Sequence, residues 1–186
     1  SAPPEQRRSS ERALVLAGVG AGVPALTSAL AGFPSVVSAE RDRFAYREAR
    51  RGIRANAHLL PPDARVEVVD QRVELCDLDG SLGGVPATCV VVDTFDHGVF
   101  GGGALRAVDA IAANRLATPD ANCVPRRVRT RAVLVKLRTE QVAGFDLRCL
   151  DAYRWHPQTA RFPDGLERDP HEVRSEPFDA DEVDLQ

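Results

Sequence analysis

Methionine is missing from the sequence altogether, the initiating residue included, so the 186 residues are expected to be a processed chain or part of a longer product. No apolar run approaches the roughly 18 residues that cross a bilayer as a helix. No signal peptide is visible either, and the polar, arginine-containing stretch 1–12 is expected to fray. The four cysteines, Cys76, Cys89, Cys123 and Cys149, show no C-x-x-C spacing, which argues against a zinc site. With 44% hydrophobic residues the chain can bury a core without disulfide staples, so reduced thiols and an intracellular, reducing compartment are expected. Neither sign of charge dominates. A formal net charge of −3 and a pI near 5.8 exclude a basic field over the whole molecule. No internal repeat is evident.

Charge is nevertheless uneven along the chain. Arg50, Arg51 and Arg54 form one basic cluster, and Arg126, Arg127, Arg129 and Arg131 form another. The stretch 176–184 carries five acids and no base. Each cluster reads either as a solvated face or as a docking surface for a charged partner.

The stretch that organises the chain is 13–22, Ala-Leu-Val-Leu-Ala-Gly-Val-Gly-Ala-Gly. An apolar run breaks into glycines at Gly18, Gly20 and Gly22, and an alanine- and leucine-rich segment follows. This is the pattern of a buried strand, a tight glycine turn and a helix start, where a ligand can approach the backbone closely. The spacing G-x-G-x-G differs from the dinucleotide fingerprint G-x-G-x-x-G. A strand-to-helix turn without any ligand is the alternative.

Downstream, strands are expected over 14–17, 35–39, 65–70, 88–92 and 130–137. Helices are expected over 24–32, 41–60 and 104–116, the second with an apolar face of Phe44, Ala45, Ala49, Ile53 and Ala57. Pro61-Pro62-Asp63 stops that helix, and 71–84 reads as a loop rich in Asp and Gly. Strands alternating with helices specify an α/β fold, a parallel sheet with helices on both faces. Its ligands sit at the carboxyl ends of the strands, where the glycines, Glu40, Glu74 and Asp93 all fall. An acid in the position of Glu40 can accept hydrogen bonds from ribose hydroxyls. The stretch 157–178, rich in proline and charge, holds no further βα unit and reads as a second layer or docking arm.

With these residues in place, the chain resembles the protein arginine methyltransferases, most nearly the monomethylating type. The segment 14–22 looks like the family's first motif, in the spacing of methyltransferases that bind S-adenosylmethionine. Ser38-Ala39-Glu40 looks like its ribose-binding acid, and Arg72-Val73-Glu74 like the element whose glutamate contacts the adenine amine. Asp93-Thr94-Phe95-Asp96, followed by Gly101-Gly102-Gly103-Ala104-Leu105, is similar to the loop that holds the substrate arginine. Cys123-Val124-Pro125 looks like the start of the family's β-barrel, with further likeness at 144–147, 153–155 and 175–179.

The resemblance implies a Rossmann-like class I methyltransferase domain over 13–125 and an incomplete β-barrel or docking portion over 126–186. It implies S-adenosylmethionine as cofactor, held by Gly18, Gly20, Gly22, Glu40, Val73 and Glu74, and it implies no metal. Asp93 and Asp96 are the catalytic candidates, with His97 a possible base.

The departures carry as much information. The family has an acid at the position of Leu16 and two glutamates where this chain has Asp93 and Gly102. Its N-terminal helix and its Thr-His-Trp loop have no counterpart in the sequence. Two readings follow. One is a degenerate methyltransferase-fold subunit of a larger complex, with the cofactor site weakened or lost. The other is an active arginine methyltransferase completed by residues outside the chain. The arginine clusters add a third, a scaffold in a ribonucleoprotein assembly. A protein partner or protein substrate, and an oligomer or complex, are expected.

Overall fold

The computed structural model describes residues 12–17, 22–95, 101–137, 141–142, 144–146, 148–149 and 171–185. The chain forms two compact units, Ser1–Val128 with Val183–Gln186, and Arg129–Glu182.

The first unit is built on five parallel strands. They are β1 (Arg12–Ala17), β2 (Ser35–Glu40), β3 (Arg65–Asp70), β4 (Ala87–Asp93) and β5 (Ala117–Val124), in the order β3-β2-β1-β4-β5. The order reverses at β1, which β2 flanks on one side and β4 on the other. This is the topological switch point at which open α/β sheets hold ligands.

Three helices connect the strands: α1 (Val23–Leu30), α2 (Arg43–Ala55) and α3 (Ala104–Ala113). Pro24 sits in the first turn of α1, where a missing N–H costs nothing. Asp42 caps α2 by accepting a 2.8 Å hydrogen bond from the Ala45 N–H. Asn56 ends α2 by donating its side-chain amide to the Gly52 carbonyl at 2.8 Å. A separate 3-10 turn at Ala57–Leu59 follows, so the expected helix 41–60 is shorter than its apolar pattern suggested.

Strand alternation explains the two-faced core. Val36 of β2 and Cys89 of β4 pack with Ala25, Ala29 and Phe33, and Ile53 joins them. Val37, Val90 and Val92 point the other way, into a cluster with Ala104, Ala107, Ile111 and Leu116. Helices α1 and α2 therefore cover one face and α3 the other, which accounts for the near-continuous burial of β2. The cysteines form no disulfide; three are buried and Cys149 is exposed.

Two expectations need correction. The fifth parallel strand is Ala117–Val124, which carries Pro119, Asp120 and Asn122 and reads as a turn; as the sheet's edge it tolerates a proline that a central strand would not. The stretch 130–137, expected as one strand, is split between β6 (Arg127–Ala132) and β7 (Val135–Leu137), outside the parallel sheet. On α2, Ala45 and Ala49 are buried, but Phe44 is 71% exposed and Ala57 is exposed. Phe44 lies one residue, about 100° of helix rotation, off the buried stripe.

Described residues of the second unit form short antiparallel pairings. β7 pairs with β10 (His171–Val173), and β8 (Gln141–Val142) with β9 (Phe145–Asp146). Strand β6 pairs with β11 (Phe178–Asp184). No closed barrel forms among the described residues.

The second arginine cluster meets the acidic stretch of the same chain. Arg127 pairs with Asp184 at 3.0 Å, and Arg126 reaches it at 4.0 Å. Arg129 pairs with Glu182 at 2.7 Å, and Arg131 with Asp179 at 3.5 Å.

Candidate cofactor cleft

A cleft of about 1020 Å³ opens where β2 and β4 end, bounded by the turn after β3 and the first turn of α3. Register fixes its geometry. Ala17 ends β1 opposite Asp93, and Leu16 pairs with Ala39, so Glu40 and Asp93 flank the end of β1. With strands about 4.8 Å apart, their backbones stand about 10 Å from each other.

Glu40 is 2% exposed. Its Oε1 accepts the Asp42 N–H at 2.9 Å, while Oε2 is buried with no partner. Burial pushes its carboxyl above the ordinary value. An orphaned, dehydrated carboxylate oxygen costs free energy unless something donates to it. A ligand bearing hydroxyls fits that need, so the site suits the ribose of a nucleoside cofactor. The Ser38 hydroxyl, two residues earlier on the same side of β2, is also buried without a partner.

Glu74 lines the same cleft beside buried Val73. Arg72 holds its carboxylate at 2.8 Å and keeps its pKa below the usual glutamate range. Asn114, at the end of α3, donates to the carbonyls of Glu74 at 3.3 Å and Cys76 at 3.1 Å, which fixes this turn against the helix. Gln71 donates to Ser81 Oγ at 2.6 Å and steadies the loop that follows.

Asp93 is exposed at the end of β4 and lines the cleft, as does Gly102, which presents no side chain. Thr94, from the Asp93–Asp96 segment, and Arg41 and Arg106, which the sequence reading did not single out, also line the cleft. The Thr94 hydroxyl, beside Asp93, is buried without a partner. Arg41 and Arg106 bring guanidinium groups to the rim. Nothing in their local pattern marks them, because strand ends and first helical turns commonly carry such residues.

Gly22 also meets a packing demand at the start of α1. It caps α1 at φ 81°, and a Cβ there would lie 3.1 Å from the Ala49 carbonyl oxygen and 3.2 Å from Ile53. Gly18, Gly20, Asp96 and His97 lie outside the described residues. Among the described residues no cluster of His, Cys, Asp or Glu is arranged to hold a metal, and no helix is long and apolar enough to cross a membrane.

A parallel sheet with its switch point at β1, a buried acid at the end of β2 and a cleft over the strand ends together define a Rossmann-like α/β fold, of the kind that class I methyltransferases have. Among solved structures the likeness is to protein arginine methyltransferases. The Trypanosoma brucei PRMT1 enzyme–prozyme heterotetramer with AdoHcy aligns at TM-score 0.67 and 15% identity, over 95% of this chain and 53% of that one. Arabidopsis thaliana protein arginine methyltransferase 10 aligns at TM-score 0.67 and 19% identity, over 94% and 54%. PRMT6–SAH aligns at 0.57 and 18%, over 98% and 60%. The chain thus spans between half and two thirds of their length. No protein-family model and no curated protein sequence matches it.

Proposed function

We propose that the chain is a protein arginine methyltransferase-like domain that binds S-adenosylmethionine and serves as a non-catalytic subunit of a larger protein or ribonucleoprotein complex. The observation that carries the cofactor half is the bare Oε2 of Glu40, buried in the cleft where a ribose would donate to it. Val73 and Glu74 stand beside it for the base. When bound, the cofactor supplies an electrophilic methyl group.

The acceptor half is where the chain departs from an arginine methyltransferase. A guanidinium, with a pKa above about 12, needs carboxylates to orient one nitrogen and draw charge onto the others. Asp93 is one methylene shorter than glutamate, and a misplacement of about 1 Å can cost about a hundredfold in rate. Gly102 contributes no carboxylate, and Arg106 adds a positive charge to the same cleft. The T. brucei neighbour, an enzyme–prozyme heterotetramer, supports a role for this fold in assemblies of unlike subunits. An intracellular, reducing compartment accords with the cysteines standing without disulfides.

Calorimetric titration of S-adenosylmethionine and AdoHcy, together with a methyl-transfer assay on an arginine-rich peptide, tests this reading. Saturable binding, weakened at least tenfold by Glu40→Ala through loss of charge-assisted hydrogen bonds, with no methyl transfer, is the expected result. No binding at millimolar ligand would remove the cofactor half. Turnover by the unmodified chain would replace the non-catalytic reading with an active methyltransferase. Activity restored by Asp93→Glu with Gly102→Glu would locate the defect in the acceptor clamp.

A further inference from the structure

The two arginine clusters meet different fates. Arg126, Arg127, Arg129 and Arg131 are matched by acids of the same chain. Helix α2 is not neutralised in this way. It carries Arg43, Arg47, Arg50, Arg51 and Arg54, all exposed, against one acid, Glu48. Only Arg51 has an ion pair among the described residues, with Glu48 at 2.9 Å.

Their spacing is regular. At 3.6 residues per turn the five side chains fall within an arc of about 100°, along about 16 Å of helix. Aromatic rings border the arc on each side. Phe44, 71% exposed, lies on one side and Tyr46 on the other. Tyr46 is stacked by Arg50, whose guanidinium stands 5.5 Å from the ring centre and donates to its hydroxyl at 3.0 Å. Between this side of α2 and edge strand β3 lies a recess of about 300 Å³, lined by Tyr46, Arg50, Ile53 and Glu67 among others.

We infer that this face of α2 binds single-stranded nucleic acid. Arginines four residues apart repeat every 6 Å or so along the axis, and a row of cations tracks a phosphate backbone. Flat rings at its borders, with a guanidinium already stacked on one, give bases something to stack on. The Glu67 carboxylate decides against the other polyanion, an acidic peptide. It would repel carboxylate side chains entering the recess, whereas it accepts hydrogen bonds from an exocyclic amine of a base. RNA and DNA share the recognised chemistry, phosphates flanked by stacking bases.

Fluorescence anisotropy of the full chain with short labelled oligocytidine and oligodeoxycytidine, whose bases carry an exocyclic amine, tests the inference. Binding of at least one strand is expected, with log K falling against log salt at a slope of about −3, from four phosphates at about 0.7 each. Arg47→Ala with Arg54→Ala should cut the slope by about 1.4 with an unchanged melting temperature. Phe44→Ala should weaken binding at least about fivefold through lost stacking and leave the slope alone. Arg129→Ala with Arg131→Ala, in the ion-paired ladder, should change neither. A flat salt response, a double α2 variant indistinguishable from the parent, or equally tight binding of polyglutamate would overturn it.

Discussion

Glu40 is a carboxylate with one oxygen satisfied and one left dry, a combination that ordinary folding selects against. Its consequence is measurable without any ligand. Burial raises the folded-state pKa above about 4.5, the ordinary value. Glu40 therefore contributes most to stability while protonated, below that value, and its contribution is lost as pH rises through the folded pKa. Relative to Glu40→Gln, which cannot ionise, the parent chain should lose melting temperature as pH rises from about 4 to 7. Differential scanning fluorimetry of the two across that window checks it, and parallel curves would contradict the assignment. Glu40 was legible in the sequence because the second strand pattern ends on it, one helix beyond the glycine turn. Arg106 was not, because what distinguishes it is the volume it helps enclose, and enclosure comes from β4 and α3 meeting in space.

At the level of the element, one backbone position brings the start of α1 close against α2. Gly22 takes a left-handed conformation with the Ala49 carbonyl pressed against it. Gly22→Ala adds conformational cost of about 1–2 kcal/mol to that crowding. The expected fall in melting temperature is roughly 2–8 °C. Gly83, at φ 62° with open space around it, is the control; Gly83→Ala bears the conformational cost alone and should fall less in the same thermal melt.

The strands with short valine runs, β2 and β4, were readable from the sequence, as was a helix following β2, though not the Asp42 cap that starts it. The edge strand β5 was not. Its proline, aspartate and asparagine obey the looser rules of a sheet border, and its place there is decided by β4 rather than by its own residues. Likewise, nothing local showed that Arg127 and Arg129 would meet acids more than fifty positions away.

For the whole molecule, the first unit takes up two separated pieces of chain, Ser1–Val128 and Val183–Gln186. Leu185 belongs to the same core as Val90, Val92 and Ile111 and is 6% exposed. Its N–H also donates to the Arg126 carbonyl at 2.8 Å. Leu185→Ala is expected to cost about 2–5 kcal/mol, as much as the same change at Leu116 in the middle of the chain. Urea denaturation should show a lower midpoint with an unchanged slope. The ion pairs at Asp184 are exposed and contribute little by comparison.

This closure by a late segment governs when the fold can form. A nascent chain emerging from the ribosome has all five parallel strands available once Val124 is out, yet the place kept for Leu185 stays vacant through the whole excursion from Arg129 to Glu182. Throughout that interval the core around Val90, Val92 and Ile111 lacks one of its side chains, and it is completed only once residue 185 has left the exit tunnel.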